Sequence, residues 1–426
     1  MGSHAISRVH VLATELALLA LTAAFGQTAP PTVVAGIPVN YDESKTGDYK
    51  LPDPLRLENG KPVRDAKTWY DKRRPELVRL YEENQFGRAP AKPANLTFDV
   101  FEPGTPAFNG KAIRRQVTLK FGETGPKADL LLYLPKSAAK PVPVLLHISF
   151  SANAATVDDP EVKLGETWSR EHKRVAATRG GGIGAKLNPL PWLEKGIAVA
   201  TIYYGDIDPD FADGRPYGVR SLYPEPGPDE WGTIAAWGWG ISRVVDYFES
   251  DKDVDSKRIA IMGVSRIGKT VLWAGARDTR IALVIASCSG EGGAALSRRN
   301  YGETIKHLAV RYGYQFAANY AKYGDRVDEF PVDSHFLISL IAPRPLLLQT
   351  GDTDKWSDPK GEYLAAMAAA PVYRLLGQNI ELPASMPEAG QAFHGSLGYY
   401  MHAGGHGTLP GDWDVFLKFV TSHFGR

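Results

Sequence analysis

Apolar positions alternate with polar ones over residues 95–101 and 112–121, the period-two pattern of half-buried antiparallel strands. Residues 128–134 and 142–149 are denser, and the second run reads as a strand buried on both faces. Further buried-type strands are predicted over 197–203, 258–262, 282–287 and 345–350. Helical spacing appears between them. Residues 65–85 place Trp69, Leu77, Leu80 and Tyr81 on one face, 231–248 forms a strong helix, 269–276 a helix start, and 413–422 an amphipathic closing helix. Strands alternating with helices predict a mostly parallel sheet flanked by helices, with right-handed crossovers. Two stretches carry no clear period. The polar, Gly-rich insertion 151–190 includes Arg179-Gly180-Gly181-Gly182, and 205–228 holds many Asp, Tyr and Pro. Loops this long are mobile or belong to a site.

The strand at 258–262 runs into Gly263-Val264-Ser265. A strand, a Gly-bounded Ser and a helix describe a nucleophile elbow, which lifts the Ser oxygen above the sheet. Together with the strand order this predicts an α/β-hydrolase. Gly263 and Gly268 lack the β-carbon that would clash where strand and helix cross. The second Gly falls one residue late for G-x-S-x-G, after Arg266-Ile267. The bland alternative is a structural turn serine.

A serine hydroxyl needs a base, and the base an orienting acid; in this fold class they follow in the order Ser, acid, His. Of the ten histidines, His406 sits in Gly404-Gly405-His406-Gly407 just before the last helix, where glycines let an imidazole approach Ser265. His402 is the rival base, or packs beside a helix, while His394 and His335 read as structural. For the acid, the strand ending at Thr350 leads into Gly351-Asp352-Thr353-Asp354-Lys355-Trp356. Functional loops follow strand C-termini in such sheets. Asp352 and Asp354 both qualify, although Asp352 beside Gly351 also suits a turn cap. Glu291, in Ser289-Gly290-Glu291-Gly292-Gly293, is a further candidate. Arg266 would offer its backbone N–H, and its guanidinium, to an oxyanion, or else pair with a surface acid. Lys269 divides between substrate binding and solvation.

Composition narrows the class. The 426 residues carry a formal net charge of +1, which points to neither a nucleic-acid nor a polybasic membrane partner. The lone Cys288 excludes an intramolecular disulfide and a cysteine-based metal cluster. Arg8 and His10 precede an apolar run over 16–25, too short to span a bilayer, and Ala24-Phe25-Gly26 offers a cleavage site. Residues 1–26 therefore read as a bacterial export signal, 27–62 as an extended arm, and 63–426 as one catalytic domain, secreted or periplasmic. We expect a monomer.

Gly263-Val264-Ser265-Arg266-Ile267-Gly268-Lys269 resembles the G-C-S-R-x-G-K signature of the glucuronoyl esterases, whose late Gly it shares. The resemblance extends through Trp237-Gly238-Trp239-Gly240 and the segments 287–298, 350–359 and 402–407. It implies an α/β-hydrolase that cleaves the ester between a lignin alcohol and the 4-O-methyl-glucuronic acid of glucuronoxylan, with no metal or organic cofactor. It implies Ser265 as nucleophile, His406 as base and Arg266 at the oxyanion, with Lys269, Glu303 and Trp356 against the uronate sugar. By residue type alone, Glu303 is equally a surface helix acid and Trp356 equally core. Two positions depart from the signature. Val264 replaces its Cys, and Cys288 stands where fungal members carry the triad Glu. Some bacterial members take the acid from the later loop, which matches Asp354, with Glu291 in reserve. The alternatives are another carbohydrate serine esterase, such as an acetyl-xylan esterase, or a peptidase, or a non-catalytic carbohydrate-binding protein on a hydrolase fold.

Overall fold

The computed structural model describes residues 30–180, 182, 186–224, 227 and 229–425. The expected export signal at 1–26 lies outside the described residues, as do the first three residues of the expected arm.

Among the described residues, ten strands form one sheet. In chain order they are β1 (Leu96–Ala107), β2 (Ala112–Phe121), β3 (Lys127–Pro135), β4 (Val142–Ser149), β5 (Ala198–Tyr203), β6 (Val254–Val264), β7 (Leu283–Ser287), β8 (Leu346–Gly351), β9 (Ala392–Phe393) and β10 (Leu397–His402). Across the sheet the order is β9-β10-β8-β7-β6-β4-β5-β3-β2-β1. The stretch from β10 to β5 is parallel, and both edges are antiparallel. The main helices are α1 (Arg74–Asn84), α2 (Thr233–Ser250), α3 (Arg266–Arg277), α4 (Ile305–Tyr312), α5 (Pro359–Leu375) and α6 (Asp412–Phe424).

The continuous apolar run of β4 is explained by helices on both faces. Val144, Leu146 and Ile148 join a core with Trp237 of α2, Val271 of α3 and Tyr373 of α5. Leu145 faces the other way, into a second core with Trp192 and with Phe416 and Phe419 of α6. All eight β4 residues are buried. Each such Val, Leu or Ile contributes about 1.5–3 kcal/mol. This sandwich makes the carboxyl ends of β6, β7 and β8 a rigid base for loops.

Three readings change. The helix after Ser265 begins at Arg266, not at 269, because the tight elbow delivers the chain straight into helical geometry. The expected helix over 65–85 has a π-helical turn, Trp69–Arg73, ahead of α1, with Trp69 and Arg73 buried. Strand β10 was not predicted: Leu397–His402 is short and adjoins glycines, and its burial comes from neighbours distant in sequence. The 151–190 insertion includes an antiparallel ribbon, Glu166–Trp168 with Arg174–Ala176. The arm runs across the 299–307 segment, where Asn40 O accepts from Gly302 N (2.8 Å) and Glu43 pairs with Arg299 (2.7 Å).

Candidate active site

Ser265 sits at φ 59°, ψ −126°, between β6 and α3. A non-Gly residue held there stores roughly 1–3 kcal/mol of backbone strain, which the surrounding packing must outweigh. The strain is held by contact. A Cβ on Gly263 would lie 2.6 Å from Ile267 O, and one on Gly268 would lie 2.8 Å from Ser287 O. Both glycines therefore permit the crossing, and the late Gly lets α3 pass close over β7. Ser265 N donates to Ser287 O at 2.8 Å, tying the elbow to the end of β7.

The loop after β8 supplies a carboxylate. Asp354 Oδ2 lies 2.7 Å from His406 Nδ1, and Ser357 Oγ lies 3.1 Å from the same nitrogen. Asp354 is only 6% exposed. Burial works against its ionisation, but the His406 charge and hydrogen bond, with hydrogen bonds from Ser357, hold its carboxyl below the usual range. An ionised acceptor at Nδ1 leaves Nε2 as the basic nitrogen. The histidine loop rests on the same strand end as the elbow: Gly407 N donates to Cys288 Sγ at 3.4 Å, and Cys288 N donates to Gln349 O at 2.6 Å. Ser265 and His406 thus flank residues 287–288. Among the described residues no hydrogen bond links Ser265 Oγ to His406; free enzymes often close that bond only around substrate.

The other candidates take distinct places. Asp352 is exposed and accepts from Gly404 N at 2.8 Å, which anchors the histidine loop. Glu291 does not meet His406. Its Oε1 accepts from Ser297 Oγ (2.7 Å) and Tyr320 OH (2.9 Å), and burial pushes its carboxyl up to about 8. Cys288 is a buried thiol whose pKa burial, then Asp354, raises well above normal, so it stays neutral. His402 ends β10, with Nδ1 2.8 Å from Asp412 of α6 and Nε2 2.9 Å from Gly405 O. It braces the loop carrying His406. His335 bonds Pro52 O at 2.8 Å, and His394 lies against Phe419.

One atom each from Cys288, Asp354 and His406 lie within 4.8 Å of one another, the one such cluster among the described residues with metal-binding side chains. With the thiol neutral and the other two already hydrogen-bonded together, the trio fits a charge-supported imidazole better than a cation site.

Arg266 is the first residue of α3, so its N–H has no intrahelical acceptor. Its guanidinium is ion-paired to Asp210 and lies 5.0 Å from the Tyr312 ring centroid. Lys269 is buried, with Nζ donating to Ser289 O at 2.8 Å and 4.0 Å from Glu303 Oε2. Burial lowers its pKa despite Glu303. Glu303 is neither helical nor exposed, and Arg311 Nη1 approaches its other oxygen at 3.5 Å. Trp356 is half-buried rather than core, with Arg311 5.6 Å from its ring centroid.

Asp210, Ser357 and Arg311 had not been singled out in the sequence. Ser357 could have been, lying one turn beyond Asp354; Asp210 is hidden among the acids of an irregular loop.

The family model for fungal glucuronyl esterases matches residues 182–377. A carbohydrate esterase from an unknown prokaryotic organism is 43% identical over 400 residues, which is 90% of this chain and 92% of that protein. The 4-O-methyl-glucuronoyl methylesterase of Phanerochaete carnosa is 28% identical over 83% of this chain and 76% of its own length. The solved glucuronoyl esterase from Solibacter usitatus is 44% identical and superposes with a TM-score of 0.86, over 90% of this chain and all of that one. With likeness over 90% of the chain to a solved member of the family, this protein belongs to the glucuronoyl esterases, carbohydrate esterase family 15, and is a carboxylic ester hydrolase.

Proposed function

We propose that the protein hydrolyses the ester joining the 4-O-methyl-glucuronic acid of glucuronoxylan to lignin alcohols, through a Ser265–His406–Asp354 relay. The observation that carries this reading is the 2.7 Å contact between buried Asp354 and His406, on a loop seated beside the strained Ser265 elbow.

His406 Nε2 takes the Ser265 proton as Oγ attacks the uronate carbonyl. The electron pair moves onto the carbonyl oxygen, held by the N–H and guanidinium of Arg266. Asp354 stabilises the imidazolium. The C–O bond to the alcohol then breaks, and His406 returns the proton to the leaving oxygen. Water, deprotonated by the same imidazole, attacks the acyl-enzyme and releases free uronate and Ser265. Lys269, Glu303 and Trp356 form the sugar side. A site with buried polar groups matched to hydroxyls rejects substrates that lack them. The chemistry uses side chains and water, with no cofactor. Residues 63–426 act as one catalytic domain, a monomer outside the cytoplasm, delivered by the 1–26 leader.

Parallel assays on the methyl ester of glucuronic acid, an acetylated xylose and a peptide anilide test the substrate class. Uronate release should dominate by orders of magnitude. Acetate release without uronate release would eliminate this assignment in favour of an acetyl esterase.

A further inference from the structure

We propose that Asp210 is the positioning residue of the oxyanion arginine and that its charge lets the acidic product leave. The inference rests on the role given to Arg266 above.

Asp210 comes from the irregular loop after β5, and its side chain is 9% exposed. Both of its oxygens are engaged. Oδ1 accepts from Tyr314 OH at 2.9 Å and Gln315 Nε2 at 2.7 Å. Oδ2 accepts from Tyr204 OH at 3.1 Å and from the Arg266 guanidinium. A carboxylate held by three neutral donors, Tyr204 on one segment and the adjacent Tyr314 and Gln315 on another, cannot swing, so the direction of its arginine partner is fixed as well. Tyr312 sits against the guanidinium and limits its tilt. Among the described residues, Asp210 is the one carboxylate paired with Arg266. Burial opposes the arginine's charge, yet Asp210, followed by Tyr204, Tyr312 and Tyr314, raises its pKa.

A plain structural tie between loop and helix needs only two partners. The chemistry asks for more. The substrate carbonyl is neutral, the transition state carries one developing negative charge, and the product is a full carboxylate. An uncompensated guanidinium would bind that product tightly. Paired with Asp210, Arg266 still donates N–H groups toward the oxyanion, while the net charge offered to a departing uronate is reduced.

The test is a double-mutant cycle. Asp210→Asn and Asp210→Ala are made alone and with Arg266→Ala, with kcat, KM and the inhibition constant of free glucuronate measured on the methyl ester of glucuronic acid. Thermal melts check folding. In the Arg266 background, kcat should fall roughly 10–100-fold with KM changed less than about threefold. The inhibition constant for glucuronate should drop about tenfold, because a compensating charge has gone. In the Arg266→Ala background, Asp210 substitution should change kcat less than about twofold. Tyr314→Phe, which removes one donor, provides a milder variant if Asp210→Ala does not fold, with an expected kcat loss of about threefold. Equal losses in both backgrounds, or unchanged kcat and product inhibition in a well-folded variant, would leave Asp210 as a loop tie and overturn the proposal. If Arg266→Ala itself kept the parent kcat, the oxyanion assignment would fail first, a result the cycle separates from the others.

Discussion

Replacing Asp354 with Asn keeps the shape of the residue and removes its charge. Buried Asp354 presents Oδ2 2.7 Å from Nδ1 of the more exposed His406, and Ser357 is the second hydrogen-bond partner of that nitrogen. The amide can present its NH2 to Nδ1, which selects the wrong tautomer and takes the lone pair away from Ser265. It also leaves the imidazolium of the transition state without a counter-charge. Loss of both functions in serine triads lowers kcat on the order of 10³–10⁴-fold, about 4–5.5 kcal/mol of barrier. Glu291→Gln should cost less than about threefold, since its carboxyl faces Ser297 and Tyr320 and burial keeps it mostly protonated near neutral pH. Initial rates on the methyl ester of glucuronic acid at pH 7, with melts to confirm folding, compare the two. Asp354→Asn within tenfold of the parent enzyme, or collapse in Glu291→Gln, would refute the relay as drawn. The pH dependence follows. Asp354 is held below the ordinary carboxylate range, so its stabilising contribution is complete above the unfolded value and is lost only as pH falls through the lower folded one.

Other consequences can be checked individually. Gly263→Ala would place a Cβ 2.6 Å from Ile267 O and should destabilise the fold by about 1–3 kcal/mol, read as a fall in Tm; an unchanged Tm would remove the steric account of the elbow. Glu291 and Glu362 are both pushed by burial to about 8, so the folded protein holds protons that the unfolded chain has released, and stability should decline as pH rises from about 4.5 to about 8. Glu362→Gln should flatten that slope in Tm-versus-pH scans, and an unaltered slope would contradict the assignment. Asp412→Asn should weaken the His402 brace and lower kcat about tenfold with little effect on KM, whereas a pure KM effect would argue against a link to His406.

Legibility in the sequence followed physical locality. Strands β2, β4 and β7 and helices α2 and α6 were readable because period and burial are encoded within a few residues. Strand β10 was not, since its burial is conferred by β8 and α5 from elsewhere in the chain. The candidate site divides the same way. Ser265 and its glycines form a contiguous motif, and His406 and Asp354 stand out by composition and order. The contact of Asp354 with His406, and the seating of the histidine loop at the end of β7, are three-dimensional facts supplied by parallel strands that end side by side. The choice between Asp352 and Asp354 illustrates the limit. Both sit in one loop, and only the geometry sends Asp352 to a backbone N–H and Asp354 to the imidazole. Asp210 and Arg311 act through partners on other segments, so no local pattern marks them.

The central claim is that the acyl group passes through the hydroxyl of Ser265. Incubating the protein with a fluorophosphonate, digesting with trypsin and sequencing by mass spectrometry tests it most directly. One phosphonyl group should be found on Ser265, in the peptide spanning residues 259–266, with stoichiometric loss of esterase activity and much slower labelling in His406→Ala. Labelling at another serine with residue 265 unmodified, or normal turnover by Ser265→Ala, would contradict it.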